Sequence, residues 1–88
     1  MAEKTFRCEL LTGEAVVLSV DAESVIFPAP DGLVGVLPER APLASVLGKG
    51  PVVIRASDKT YHYSISGGVA HMRGQTLTLL ADECRPVE

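Results

Sequence analysis

No window of this chain holds apolar residues at helical spacing without an intervening glycine, proline or β-branched residue. An amphipathic helix therefore has nowhere to form, and period-two alternation takes over. Residues 5–11 alternate, with Phe6, Cys8 and Leu10 on one face and Arg7 and Glu9 on the other. Similar short runs occupy 14–20, 23–27, 33–37, 43–47, 52–56, 60–66, 69–73 and 75–81, separated by Gly, Pro, Asp and Ser turn residues. Pro28, Pro30, Asp31 and Gly32 are expected to end the third run, and Ser57-Asp58-Lys59 to connect a hairpin. Gly67-Gly68 predicts a bulge or a close approach of another backbone. About ten short strands cannot cover themselves in one flat layer, so the expectation is an all-β protein, a flattened β-sandwich or barrel in two sheets.

At 88 residues the chain is one domain, 1–88. A domain of this size buries only about 60–65% of the surface its unfolded chain exposes, so a disulfide, metal or partner is the usual supplement. Cys8 and Cys84 are the only cysteines. They are read as free thiols in a reducing compartment, the alternative being a bridge between first and last strands. Met1 is not followed by a charged-then-apolar leader, and no apolar stretch approaches the ~20 residues that span a bilayer. Membrane association would thus run through another protein. Eleven acids oppose eight bases, and Lys4, Arg7, Lys49, Arg55, Lys59, Arg73 and Arg85 are scattered singly. A nucleic-acid footprint would gather them on one face, so no nucleic-acid partner is expected.

Catalytic and cofactor patterns fail on spacing. Gly48-Lys49-Gly50 lacks the upstream glycine, the following Ser or Thr and the helix of a phosphate-binding loop. His62, His71 and the two cysteines lack the close spacing of a structural zinc site. Ser66-Gly67-Gly68 is not a nucleophile elbow, and Cys8, in register with Phe6 and Leu10, reads as a small buried hydrophobe. The expectation is a non-enzyme with no cofactor and no metal.

A surface argument remains. The segment from Leu33 to Leu43 is apolar and proline-braced, whereas connections over a surface are normally polar. Such a segment either folds under into the core or docks on another protein, and composition leaves both open. Both faces of the last strand are partly apolar, since Leu80 lies out of phase with Leu77, Leu79 and Ala81. One side beyond the core is thus expected to meet a partner.

Three motifs carry a resemblance. Asp31-Gly32-Leu33-Val34-Gly35-Val36-Leu37-Pro38-Glu39-Arg40-Ala41-Pro42-Leu43 is similar to the signature G-x-x-G-[IV]-x-P-x-[HR]-A-P-[LF] of ATP synthase epsilon subunits. Ile65-Ser66-Gly67-Gly68-Val69 and Leu77-Thr78-Leu79-Leu80-Ala81-Asp82 resemble two further hallmarks of that family, in its order and spacing. The resemblance implies a ten-stranded sandwich on the central stalk, fastening the gamma subunit to the c-ring. It implies gamma contacts around Thr12 and along Arg40, Ala41, Pro42, Leu43, Ala44 and Ser45, and c-ring contacts at Asp31, Gly32, Leu33 and Val34. It also implies a peripheral position on the cytoplasmic face of a bacterial inner membrane, or its plastid thylakoid equivalent.

The chain departs from the family where Leu33 replaces a frequent acid and Glu39-Arg40 a frequent Gly-His. Typical members also continue into an inhibitory C-terminal helical hairpin, whereas these residues stop at Glu88. The expectation is coupling without self-inhibition. The alternative is a stand-alone protein-binding module using the loop between Pro38 and Pro42.

Overall fold

The computed structural model describes residues 4–87. They form eight strands: β1 (Phe6–Leu11), β2 (Val16–Ala22), β3 (Ser24–Ala29), β4 (Gly32–Val36), β5 (Leu43–Val46), β6 (Lys49–Arg55), β7 (Thr60–Arg73) and β8 (Thr76–Pro86). Hydrogen bonding runs in the order β2-β1-β8-β7-β6-β3-β4, with β5 also on β7. Every pairing is antiparallel except β1 with β8.

One continuous sheet becomes two layers by creasing. β5 and β6 pair with successive halves of β7, Val46 opposite Val69 and Lys49 opposite Ser66, with no register shift between them. β8 likewise pairs along β7 without a shift. Yet the buried face changes phase on all three lines. It passes from Leu47 to Val52, from Ile65 to Ala70, and from Ala81 to the half-buried Cys84. Residues two apart share a face, so each odd step marks a reversal. The reversals line up at Leu47-Gly48, Gly67-Gly68 and Ala81-Asp82. The Leu47 amide donates to the Gly68 carbonyl at 2.9 Å, and the Gly67 amide to the Gly48 carbonyl at 3.1 Å.

On one side of the crease lies a layer of β2, β1, the first part of β8, the second part of β7, and β5. On the other lie the end of β8, the first part of β7, β6, β3 and β4. Phe6, Leu10, Leu77 and Leu79 from the first layer and Val25, Phe27, Val52 and Ile54 from the second belong to one buried cluster. No polar or charged side chain is buried among the described residues. The all-β sandwich read from the sequence is the observed fold. The nine runs read from the sequence become eight continuous strands, because 60–66 and 69–73 join in β7; β7 and β8 each serve both layers.

Three boundaries differ from the sequence reading. Pro28 does not end its strand: it is buried within β3, opposite Leu33. The ladder between β3 and β6 stops at Ile26 opposite Val53, so Pro28 sits where no N–H is required on that side. Gly50 and Pro51 lie inside β6 rather than before it, Gly50 at φ 154 against the Pro28 ring. Residues 82–86, beyond the run read as ending at 81, continue β8 beside β7.

At Gly67-Gly68 the close approach is real, and the ladder carries no bulge. A Cβ on Gly68 would fall 2.0 Å from the Leu80 carbonyl oxygen, and one on Gly67 2.6 Å from Asp82 Oδ2. With φ of 124° and 74°, both positions suit glycine on conformational grounds as well.

Candidate functional site

Register, rather than any motif, assembles the most conspicuous surface. On the outer face of the first layer Val46 lies opposite Val69, Val69 opposite Leu80, Leu80 opposite Leu11, and Leu11 opposite Val16. A β-bulge between Leu10 and Leu11 brings Val16 into line. Val46, Val69, Leu80 and Val16 are 60, 51, 40 and 64% exposed. Four strand spacings make the row roughly 19 Å long. The next row outward from the crease is Ala44, His71, Thr78, Glu9 and Ser19, largely polar. Across the crease the nearest outward row of β6, β7 and β8 is Lys49, Ser66 and Glu83, followed by Pro51, Ser64 and Arg85. An aliphatic row bounded by polar rows marks a place for contact, because scattered single apolar residues carry no such meaning.

Of the residues expected at the gamma contact, Thr12 adjoins this row, whereas Arg40, Ala41 and Pro42 precede β5 at its end away from the crease. Thr12 follows Leu11 and closes the β1–β2 turn: its amide donates to the Ala15 carbonyl at 2.9 Å, and its Oγ1 accepts from the Glu14 amide at 3.4 Å. Arg40, Ala41 and Pro42 are exposed and, with Leu37 and Pro38, line one shallow depression. Ala44 shares the outer face with Val46, while Leu43 and Ser45 alternate to the other side. Leu43 packs on the core, and the Ser45 hydroxyl donates to the Val46 carbonyl at 3.1 Å.

The residues expected at the c-ring lie elsewhere, on the β3–β4 turn at the opposite end of β4 from the Pro38 loop. Asp31, Gly32 and Leu33 are exposed, whereas Val34 packs against the core. The proline-braced segment thus divides between the two explanations open to it: Val34 and Val36 fold inward, Leu33 and Leu37 stay outside. Sequence reasoning missed Leu11, Val16, Val46 and Val69. Only Leu80, apolar on the wrong phase of its strand, signalled the row.

The titratable groups offer no activated nucleophile. Burial, with a smaller push from the charge of Glu9, raises the Cys8 thiol from 9.0 to about 12. Burial also raises Cys84 and Tyr63. Both cysteines are free: Cys8 lies opposite Leu77 and Cys84 opposite Ile65, so neighbouring strands do not bring them together. No group of three His, Cys, Asp or Glu residues suited to a metal exists among the described residues, and no helix there is long and apolar enough to cross a membrane.

A creased two-layer sheet closed on one apolar core places the chain in the class of all-β sandwich domains. Residues 5–87 match the family described as the beta-sandwich domain of the ATP synthase Delta/Epsilon chain, and the chain belongs to that family. It is 35% identical over 90% of its length to an ATP synthase epsilon chain of Desulforamulus reducens, and 34% identical over its full length to that of Pelotomaculum thermopropionicum. It spans 60 and 66% of those two relatives. A chain in the structure of the Euglena gracilis mitochondrial ATP synthase (OSCP, F1 and c-ring) shares the fold. Its TM-score is 0.87 at 21% identity, over 93% of this chain and 53% of that one. A chain from the Tetrahymena thermophila mitochondrial ATP synthase central stalk and c-ring shares it too. There the TM-score is 0.79 at 14% identity, over 98% of this chain and 69% of that one.

Proposed function

We propose that this chain is a non-catalytic rotor part of an F-type ATP synthase, fastening the gamma subunit of the central stalk to the c-ring so that ion flow drives ATP synthesis. The row Val46–Val69–Leu80–Leu11–Val16 carries the reading. Its aliphatic surface favours a partner at about 25 cal/mol per Å² removed from water. Family membership supplies the setting, and it supports gamma as the occupant. Thr12, Arg40, Ala41 and Pro42 flank that contact, with Leu43 and Ser45 supporting β5 from its inner side, and the turn at Asp31, Gly32 and Leu33 meets the polar loops of the c-ring, with Val34 packed beneath it. The membrane is reached only through those partners, on its cytoplasmic face.

Single cysteines at Thr12, Val69 and Leu33, in a Cys8→Ala, Cys84→Ser background, test the arrangement by crosslinking. Thr12 and Val69 should trap gamma, and Leu33 a c subunit. Crosslinks from Leu33 to gamma and none from Val69 would sink it. Added to epsilon-depleted enzyme, these 88 residues should restore coupling and leave ATP hydrolysis uninhibited. Strong, ATP-reversible inhibition would contradict that. The depression beside Pro38 and Pro42 favours the second reading, a stand-alone binding module. Substituting Arg40 and Leu37 would then abolish partner capture while Val69→Asp left it intact.

A further inference from the structure

We infer that Gly48 is a positioning residue that ties the Asp31 turn to the crease, making the two proposed contact surfaces one rigid body; its consequence for coupling rests on the rotor reading. The ladder between β3 and β6 covers only Ser24, Val25 and Ile26 of β3. Beyond it, the end of β3 is held toward the crease by the Gly48 amide, which donates to the Pro28 carbonyl at 2.9 Å. The Gly48 carbonyl meanwhile accepts from the Gly67 amide at 3.1 Å. A Cβ on Gly48 would lie 3.1 Å from both the carbonyl carbon and oxygen of Ala29 and 3.4 Å from the Pro30 nitrogen. Those neighbours are backbone atoms, which cannot swing aside as the end of a long side chain can.

The connection is short on both sides. Gly48 follows Leu47, which is buried, and Val46, a member of the aliphatic row. Ala29 and Pro30 lead into Asp31, and Ala29 pairs with Gly32 across the turn. Between row and turn, therefore, lie two residues of chain, one backbone contact and two further residues. No flexible side chain intervenes, so displacement of one surface carries the other with it. Gly50 leaves room at the same joint, since a Cβ there would fall 3.2 Å from the Pro28 Cβ.

The test is amide exchange and heteronuclear NMR on the whole 88-residue chain. In the wild type the Gly48 amide should exchange as slowly as those of Leu47 and Gly67. Exchange as fast as at the exposed Asp58 turn would overturn the inference, whether or not any variant folds. Gly48→Ala should move the amide resonances of Ala29, Asp31, Gly32 and Leu33 and speed exchange at Gly32 at least about tenfold. Glu9, Ser19 and His71 in the other layer should stay in place. Gly35→Ala, which meets nothing within 4 Å, is the matched control and should be silent. Unmoved turn resonances in Gly48→Ala, or equal shifts in both layers, would refute the joint. In reconstituted enzyme Gly48→Ala should keep gamma binding and lose coupling. Failure of the wild-type chain to bind gamma would defeat the rotor reading instead and leave the exchange result standing.

Discussion

Two of the regions that hold backbone at positive φ, the crease and the loop between β4 and β5, do so by opposite means. At the crease Gly67 and Gly68, at φ 74° and 124°, are enclosed by Asp82, Leu80 and Ala81. In the loop between β4 and β5 the residue at φ 66° is Glu39, exposed and tied only by its carboxylate to Lys4 Nζ at 2.8 Å. At Gly68 the departure is enclosed by backbone atoms that cannot swing aside, whereas Gly67 meets the end of the Asp82 side chain and Glu39 a solvated ion pair. The crease is architecture and tolerates no side chain. The loop is surface, where sequence can change at little cost to the fold and consequences fall on whatever it touches.

Substitution at the crease should give the largest effect. Gly68→Ala would place a methyl 2.0 Å from the Leu80 oxygen in the ladder of the longest strand pair. The expected loss is above about 4 kcal/mol, enough to unfold a domain of this size in mild denaturant. Gly74→Ala supplies the contrast. Gly74 also has positive φ, 61°, but nothing lies within 4 Å, so only the conformational penalty of about 1 kcal/mol applies. Urea midpoints of the two variants decide the matter. Equal losses would mean that conformation, and not the close approach, fixes the crease.

The dry interior that the crease encloses can also be opened chemically. The unfolded Cys8 thiol releases its proton near pH 9, whereas the folded one holds it to about 12. Between those values the unfolded state binds fewer protons, so stability falls as pH rises; below pH 9 the contribution is fully present. Integrated over the window this amounts to about 4 kcal/mol. Cys84 and Tyr63, also raised, act in the same direction. In Cys8→Ala the steep fall should flatten relative to wild type while a small constant offset remains. Urea titrations at pH 8, 9 and 10 would detect the difference, and parallel curves would show that Cys8 is not the cause.

On the outer face the comparison turns from folding to binding. Val69→Asp adds a charge to a half-exposed position beside the crease, so stability should change by less than about 1 kcal/mol. Gamma binding, measured by calorimetry, should weaken at least about thirtyfold, as for the centre of an aliphatic contact. Ser64→Asp, outward on the first half of the same strand, should leave both measurements unchanged. An equal loss of binding in the two variants would remove the special standing of the row.

That row explains why the fold was more legible than the site. Alternation at Phe6, Cys8, Leu10 and at Leu77, Leu79, Ala81 is a property of each strand alone, and all six residues are buried. Val46 ends β5, Val16 opens β2 and Val69 lies within β7 beside Gly68, and an exposed aliphatic residue at any one of these positions means nothing by itself. They become a surface only through four registers and a bulge, which depend on pairings distant in sequence. The misjudged boundaries have the same origin. Pro28, Gly50 and Pro51 break isolated strands, but here β3 lacks a ladder partner on the β6 side at Pro28, and the glycine makes room for its ring. Glycine and proline mark where chain geometry is special, and only the neighbours decide whether that is an end or a joint.

The loop should respond least, through terms that nearly cancel. Glu39→Gly relieves left-handed strain of about 1–2 kcal/mol. It raises unfolded-chain entropy at a cost of about 0.4–1 kcal/mol and removes an exposed ion pair worth about 0–1 kcal/mol. The net change at low salt should therefore lie within about 1 kcal/mol of zero. Salt separates the terms, because the pair to Lys4 is screened while strain and entropy are not. Raising NaCl should shift the difference between variant and wild type steadily in favour of glycine. A difference indifferent to salt would show that the Lys4–Glu39 contact contributes nothing to holding the loop. Its left-handed turn would then be fixed by Pro38 and Pro42, bringing it closer to the rigid logic of the crease than to that of a solvated surface.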